Sequence, residues 1–246
     1  MDASFGRATK LVLGEEIGGV SGYEKWLMRY LYPTKFVETA LDKKKLFIVP
    51  GFFYISYVPE ERIICDLEVE KSQKKKVDAS RISNLEGVKG VLGEIGYYNI
   101  EKKWGKFSGV SDSIFYGDSV NVHHCADIHN SKDIAYSQYI SMKCECIFGS
   151  YRLFFSKFCI KCYNSNNISV CFECDSCKGC SGLMFCHNCE NVHDSLFCFN
   201  AKNLRYALFN REIGREKYLE LRKKLCAGIV SELKEKSWFE SSIYNL

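Results

Sequence analysis

Between residues 159 and 198, every cysteine of this chain occupies a position whose number is divisible by three. The positions of that series without a cysteine hold small or apolar residues as far as residue 207. A spacing of three matches neither the 3.6-residue period of an α-helix nor the two-residue period of a β-strand. The spacing therefore indicates an internal repeat. The cysteines are Cys159, Cys162, Cys171, Cys174, Cys177, Cys180, Cys186, Cys189 and Cys198.

The repeat unit is predicted to be twelve residues long, because similar residues align at that spacing. Internal repeats of fixed length are typical of solenoids, and the coils of a β-solenoid stack at the strand spacing of about 4.8 Å. A twelve-residue coil encloses little space, so mainly small residues fit inside it. One aligned column consists of Cys162, Cys174, Cys186 and Cys198.

The triplet spacing continues upstream in a second phase, from Ser113 to Gly149, and Lys143 interrupts it. Cys144 is interpreted as the one cysteine between residues 125 and 198 that fits neither phase. We expect a one-residue insertion at a corner near 149–153, where the phase changes. The solenoid is then predicted over 110–210, with about eight coils.

The predicted fold class is mainly β: a narrow β-solenoid (β-helix) with a small α+β N-terminal region and a C-terminal amphipathic capping helix. Open solenoids need caps, because a bare end presents unpaired strand edges. Apolar residues recur at helical spacing over 215–236, which predicts a helix across the last coil. The predicted domains are 1–105, 106–210 and 211–246.

Local signals divide the N-terminal region, which is expected to cap or flank the first coil. Ser21 and Glu24 form a capping box, which predicts a helix ending before Pro33. A second short helix is predicted over 36–41. Strands are predicted over 46–57 and 62–69.

Composition excludes some classes of protein. A hydrophobic content of 46% and an aromatic content of 14% argue against disorder, and a net charge of +4 points to no strongly charged partner. The segment Met1–Lys10 has no apolar signal region, and Pro50 interrupts the longest apolar stretch. We expect an intracellular (cytoplasmic) protein without membrane association, in which most thiols stay reduced.

The cysteines allow three interpretations. Most simply, they fill the interior as small apolar residues. In that case we expect no cofactor. Alternatively, two CxxC pairs bind zinc as thiolates. The third alternative is disulfide bonds across the lumen, such as Cys174 with Cys180. The candidate zinc ligands are Cys174, Cys177, Cys186 and Cys189.

The histidines at 187 and 193 lie outside the inward series and should face outward. We interpret them as ordinary surface histidines, although a mixed Cys/His metal site is an alternative. No nucleophile–base pair, carboxylate pair or phosphate-binding loop is placed by a larger motif, so the chain is not expected to be an enzyme.

Large apolar residues also repeat outside the inward series. If they face outward, they form a continuous strip that a soluble monomer seldom leaves bare. Two coverings are possible: the C-terminal helix, or an interface with a second copy or a partner protein. We favour the interface. The strip consists of Met184, Phe185, Leu196, Phe197, Leu208 and Phe209.

The predicted function is a structural or protein-interaction scaffold, a subunit of an assembly. An accessory factor associated with nucleic acid or a ribonucleoprotein is the alternative, because Lys43–Lys45 and Lys74–Lys76 could contact phosphates. Acidic residues interleave with these lysines, so a solvated surface is the simpler interpretation. A zinc-binding module is the second alternative.

Two resemblances accompany these predictions. The twelve-residue coil with small residues at every third position resembles the narrow β-helix of beetle antifreeze proteins, but the threonines that ice binding needs are missing from the solenoid. The stretch 196–210 followed by 216–220 resembles the end of an uncharacterised family of Cys-rich, CxxC-repeat proteins. Most members carry a cysteine where this chain has Ala207, and the resemblance implies no activity.

Overall fold

The triplet series forms a parallel β-solenoid of about seven turns in the computed structural model of the protein, which confirms the predicted fold class. The structure describes residues 1–141, 143–153, 156–161, 163, 168–175, 182 and 184–245. By their contacts they divide into two units, Met1–Leu31 with Trp104–Leu246, and Tyr32–Lys103. Residues 1–31 therefore group with the solenoid rather than with the rest of the region predicted as 1–105.

The helices and strands have the following bounds. The α-helices are α1 (Asp2–Leu13), α2 (Glu24–Leu27), α3 (Val69–Gln73), α4 (Leu85–Ile95) and α5 (Arg215–Lys236). The parallel strands of the solenoid are Ser108–Gly117, Val120–His129, Lys132–Ala135, Gln138–Ile140, Glu145–Phe148, Tyr151–Leu153, Ser156–Ile160, Ile168–Phe172, Glu190–His193 and Lys202–Arg205. An antiparallel pair, Ala207–Leu208 with Arg211–Glu212, ends it.

The strand register explains the twelve-residue repeat. Cys159 pairs with Cys171, and Val192 pairs with Leu204, each twelve residues along the chain. Successive coils therefore place equivalent residues one above another. Of the predicted cysteine column, Cys174, Cys186 and Cys198 are fully buried in the interior, while Cys162 lies outside the described residues.

The predicted position of the phase change was wrong. Ile147 pairs with Ile134, thirteen residues earlier, so the extra residue lies between Ile140 and Cys144 rather than near 149–153. As a result Cys144 is an inward residue, only 1% exposed. Cys146 and Gly149, which were assigned to the interior, belong to the outward positions.

Inward serine and cysteine side chains donate hydrogen bonds to backbone carbonyls, which a purely apolar side chain could not do. The Ser119 hydroxyl donates to the Gly117 carbonyl at 2.7 Å, and the Cys198 thiol donates to the Leu196 carbonyl at 3.5 Å. Ser195 also accepts the backbone N–H of Ala207, one coil further on, at 3.1 Å. These side chains therefore satisfy buried backbone groups as well as filling the lumen.

The residue before most of the described inward positions has a positive φ angle, which turns the backbone about every third residue. Asparagine and aspartate adopt this left-handed conformation more readily than other non-glycine residues. In the last coils such residues also bond between coils: the Asn188 amide donates to Asn200 at 2.9 Å, and the Asn191 amide donates to Asn203 at 2.7 Å.

The N-terminal helices pack on the side of the solenoid and not on its first coil. Phe5 of α1 contacts Phe148 with ring centroids 5.0 Å apart, and Trp26 of α2 contacts Phe172 at 6.0 Å. Gly149 permits this approach, because a Cβ atom there would lie 2.8 Å from the carbonyl oxygen of Leu27. The lateral face is thus covered over several coils.

The unit Tyr32–Lys103 combines short strands with helices. Strands Lys35–Glu38 and Lys45–Ile48 pair antiparallel, and Ile63–Ile64 pairs parallel with Tyr98–Asn99. The short helix predicted over 36–41 was therefore wrong, and the predicted strand over 46–57 stops at Ile48, because Pro50 and Gly51 follow. The 3₁₀ helices among the described residues are Val20–Tyr23, Phe53–Tyr57, Glu60–Arg62, Asp66–Glu68 and Ala79–Arg81.

Candidate interaction groove

The apolar strip forms two columns along one side of the solenoid. Met184 pairs with Leu196 and Leu196 with Leu208, each one coil apart. Beside this column, the Phe185 and Phe197 rings stack in parallel with centroids 5.3 Å apart, and Phe197 and Phe209 follow at 5.7 Å. The left-handed backbone at all three phenylalanines directs the rings away from the lumen.

Helix α5 covers the inner part of this strip, which is the first of the two coverings considered. Met184, Phe185 and Leu196 are at most 2% exposed and belong to one apolar cluster with residues of α5. The Cys226 thiol lies 3.9 Å from the sulfur of Met184. Helix α5 thus packs along the side of the coils, so its predicted position across the last coil was wrong. The α5 residues buried in the cluster are Tyr218, Cys226, Ile229, Val230 and Leu233.

The outer part of the strip remains accessible. Phe209 is 70% exposed, and Phe197 and Leu208 are half-buried. Between these residues and α5 lies a groove of about 560 Å³ with mostly apolar walls. A second groove, of about 480 Å³, lies on the other side of the Phe197–Phe209 pair. The first groove is lined by Phe197, Leu208, Phe209, Leu221, Lys224, Leu225, Gly228, Ile229 and Phe239.

The wall of the first groove contains a glycine, Gly228, which contributes no side chain. It lies in the middle of α5, and a Cβ atom there would meet nothing within 4 Å. Glycine inside a helix is less favourable than alanine by about 1 kcal/mol, so local helix stability does not explain this residue. Its effect is to leave the groove wider beside Leu225 and Ile229.

Three of the four cysteines predicted to bind zinc, Cys174, Cys186 and Cys189, are buried interior residues. The Cys186 thiol donates to the Met184 carbonyl at 3.4 Å, and the Cys189 thiol donates to the His187 carbonyl at 3.3 Å. Hydrogen bonding with neighbouring thiols, followed by burial, raises the pKa of Cys186. The same hydrogen bonding lowers the pKa of Cys198 to about 7, so it is burial that favours a protonated Cys186, whereas zinc binds thiolates. Cys174 is also buried, while Cys177 and the proposed disulfide partner Cys180 lie outside the described residues.

Two other groups of side chains could each offer three metal ligands. Asp112, His123 and His124 form one, and Asp133, Glu145 and Cys146 form the other. In each group, the three candidate ligand atoms lie within 4.8 Å of one another. His187 lies elsewhere, with its Nδ1 atom 2.6 Å from a carboxylate oxygen of Asp175.

Three of the six predicted phosphate-binding lysines, Lys44, Lys45 and Lys74, have acidic or aromatic neighbours within their own unit. The ammonium of Lys44 lies 3.8 Å from the Asp42 carboxylate, and that of Lys74 lies 2.7 Å from the Glu70 carboxylate. Lys45 lies over the Phe36 ring, 4.1 Å from its centroid. The two carboxylates offset part of the positive charge that binding to a phosphate backbone would require.

A buried lysine and glutamate lie on successive coils of the covered face. Lys161 is 1% exposed and Glu173 is fully buried, and Lys161 Nζ is 4.5 Å from the centre of the Trp26 ring. Burial lowers the pKa of Lys161 to about 7 and raises that of Glu173 to about 7, while each residue's charge partly opposes the other's shift. Neither residue was singled out from the sequence.

Comparisons with protein families, with curated proteins and with solved structures found no match to this chain. The fold and the groove therefore define its class: a Cys-rich β-solenoid with a helix packed along one side. Within the described residues, no helix combines the length and apolarity needed to cross a membrane.

Proposed function

We propose that this protein is a structural scaffold that assembles by self-association through the groove beside α5. The observation that carries the proposal is the exposed Phe209 ring next to an apolar groove. The proposal assigns no catalytic activity to the chain.

Self-association is favoured because one surface offers both a projection and a recess. In a two-fold symmetric contact, the same patch of both copies meets, so a projecting group of one copy must enter a recess of the other. Phe209 is the projection, and the groove of about 560 Å³ is a recess large enough for a phenyl ring. A twofold contact would bury both rings, and burying one contributes about 1.5–3 kcal/mol.

Two substitutions test the projection and the recess separately. Phe209→Asn removes the ring and suits the left-handed backbone at this position, where φ is 49°. Gly228→Arg fills the groove and improves the helix propensity of α5. We expect wild-type protein to show a concentration-dependent mass above that of the monomer in light scattering, and both variants to be monomeric with unchanged circular dichroism.

The chain offers a matched control for each variant. Gly90→Arg makes the same substitution at an exposed position of α4 where a Cβ atom also meets nothing within 4 Å. Tyr57→Asn removes an aromatic ring that is 87% exposed and lies outside the groove. Both controls should associate like wild type. A wild-type protein that stays monomeric at every concentration, or variants that associate unchanged, would rule out self-association through this groove.

The association with nucleic acid predicted as the alternative has less support, because three of the six lysines concerned have the neighbours described above. Binding to single-stranded and double-stranded oligonucleotides at low salt, lost on replacing Lys74–Lys76 by glutamine, would favour it instead.

A further inference from the structure

Two histidines and an aspartate converge near the beginning of the solenoid, on a part of the chain that the groove does not involve. The register pairs Ser111 with His123 on successive strands, which brings Asp112 beside His124. Asp112 is exposed and both histidines are half-buried, so solvent reaches the group.

We propose that Asp112, His123 and His124 form a binding site for a divalent first-row transition metal ion of the zinc type. Each residue offers one ligand atom, and the three atoms lie within 4.8 Å of one another. Zinc ligands about 2.0–2.2 Å from the ion stand roughly 3–4 Å apart, so modest side-chain movement completes the site. Two imidazoles and one carboxylate suit zinc, cobalt and iron(II) better than calcium or magnesium.

Neighbouring groups hold the histidine rings in place, as the outer contacts of metal sites do. The Ser111 hydroxyl lies 2.9 Å from Nδ1 of His123 and restricts rotation of that ring. The Tyr136 ring packs against both histidines, with centroids 5.5 Å away in each case. A site whose ligands are already oriented loses less entropy on binding an ion.

The protonation states are compatible with metal binding. Burial lowers the pKa of His124, which favours the neutral imidazole that coordinates metals. The negative charge of Glu24 opposes this shift in part. Burial raises the pKa of Tyr136 to about 12, so its phenol stays protonated and forms a wall rather than a ligand.

Other aspartate–histidine contacts of the solenoid differ in composition. The imidazole of His129 lies 2.5 Å from the Asp127 carboxylate, and that of His187 lies 2.6 Å from the Asp175 carboxylate. Each contact combines one carboxylate with one imidazole, which a single hydrogen bond explains. The group at Asp112 brings a second imidazole to the same carboxylate.

The experiment measures binding of Co²⁺ and Zn²⁺ to the full-length chain after removal of metals with a chelator. Zn²⁺ is titrated by calorimetry and Co²⁺ by visible absorption. The variants are Asp112→Asn and His124→Asn, since asparagine suits the positive φ angle of both positions. Asp127→Asn is the matched control, because it makes the same substitution at another left-handed position beside a single histidine.

We expect one ion per wild-type chain, an affinity lowered more than about tenfold in both variants, and wild-type affinity in the control. The Co²⁺ spectrum should lack thiolate-to-cobalt charge transfer. Circular dichroism at each step shows whether the variants are folded.

Three results would overturn the assignment. They are the absence of saturable binding to wild type, equal affinities in wild type and both variants, and a charge-transfer band showing that the ion is held by cysteines. Because binding is measured on the dilute chain, the result does not depend on self-association.

Discussion

Replacing the buried Lys161 and Glu173 by apolar residues should stabilise the protein most strongly near neutral pH. Exchanging a buried charged pair for apolar side chains of similar volume is often stabilising by about 1–4 kcal/mol, whereas removing one partner costs about 3–5 kcal/mol. The proposed set is Lys161→Met, Glu173→Leu and the double variant. Both charged residues already have positive φ angles, so the new side chains face the same backbone strain.

The pH dependence follows from the direction of the two pKa shifts. Glu173 has its pKa raised from 4.5 to about 7, so the folded protein holds an extra proton between these values and loses stability as the pH rises towards 7. Lys161 has its pKa lowered from 10.5 to about 7, so the folded protein holds one proton fewer above pH 7 and regains stability as the pH rises. The wild type therefore carries its largest penalty near pH 7.

Urea unfolding followed by far-ultraviolet circular dichroism at pH 5, 7 and 9 measures the effect. Since the proton differences of Glu173 and Lys161 act on opposite sides of neutrality, the advantage of the double variant should be largest near pH 7 and shrink towards both pH 5 and pH 9. Each single variant should be less stable than wild type at pH 7. An advantage that is independent of pH, or smallest at pH 7, would refute the reasoning.

Further predictions concern the coil itself. Cys186→Leu should lower the free energy of unfolding in urea by about 1–3 kcal/mol, because the lumen has no room for the larger side chain. Cys186→Ser should lower the free energy of unfolding less, since a hydroxyl can donate to the Met184 carbonyl as the thiol does. If Cys186→Ser and Cys186→Ala both unfold the protein and both release bound zinc, the thiolate metal site would be supported instead. Asn188→Val should destabilise the protein by about 1–2 kcal/mol, because valine is strained in the left-handed conformation and loses the hydrogen bond to Asn200. Asn188→Gly loses only the hydrogen bond and should be less destabilised in thermal unfolding. Equal destabilisation of the two variants would show that backbone strain is not the cause.

The repeat could be predicted from the sequence because inward residues are confined by the lumen. Every third side chain must be small or fit a narrow column, and this constraint is visible without any structure. Helix α5 was predicted with the bounds that the structure shows, since its apolar residues keep the helical period. Local periodicity was sufficient for both elements.

The change of phase could not be placed by the same reasoning. Where another element covers a face of the solenoid, outward positions become apolar too, as at Cys146 and Phe185. Side-chain type then no longer distinguishes the outward positions from the inward ones. Only the strand register, with Ile147 opposite Ile134, shows where the thirteenth residue enters.

The groove was predicted in part. The column of phenylalanines was visible in the repeat, but the position of α5 along the side depends on packing between distant segments. Contacts such as that of Cys226 with Met184 join residues far apart in the chain, and no periodic signal reports them. The histidine–aspartate group was not predicted for a similar reason, because it depends on which residues of successive strands lie side by side.

Native mass spectrometry of the wild-type chain beside Gly228→Arg tests the proposed assembly most directly. Gly228→Arg alters only the exposed wall of the groove, so it separates association from folding. The account predicts a wild-type species of twice the 28.3 kDa chain mass and a Gly228→Arg species at the chain mass alone. A wild-type protein found only at the single-chain mass, or a Gly228→Arg variant that dimerises equally, would contradict it.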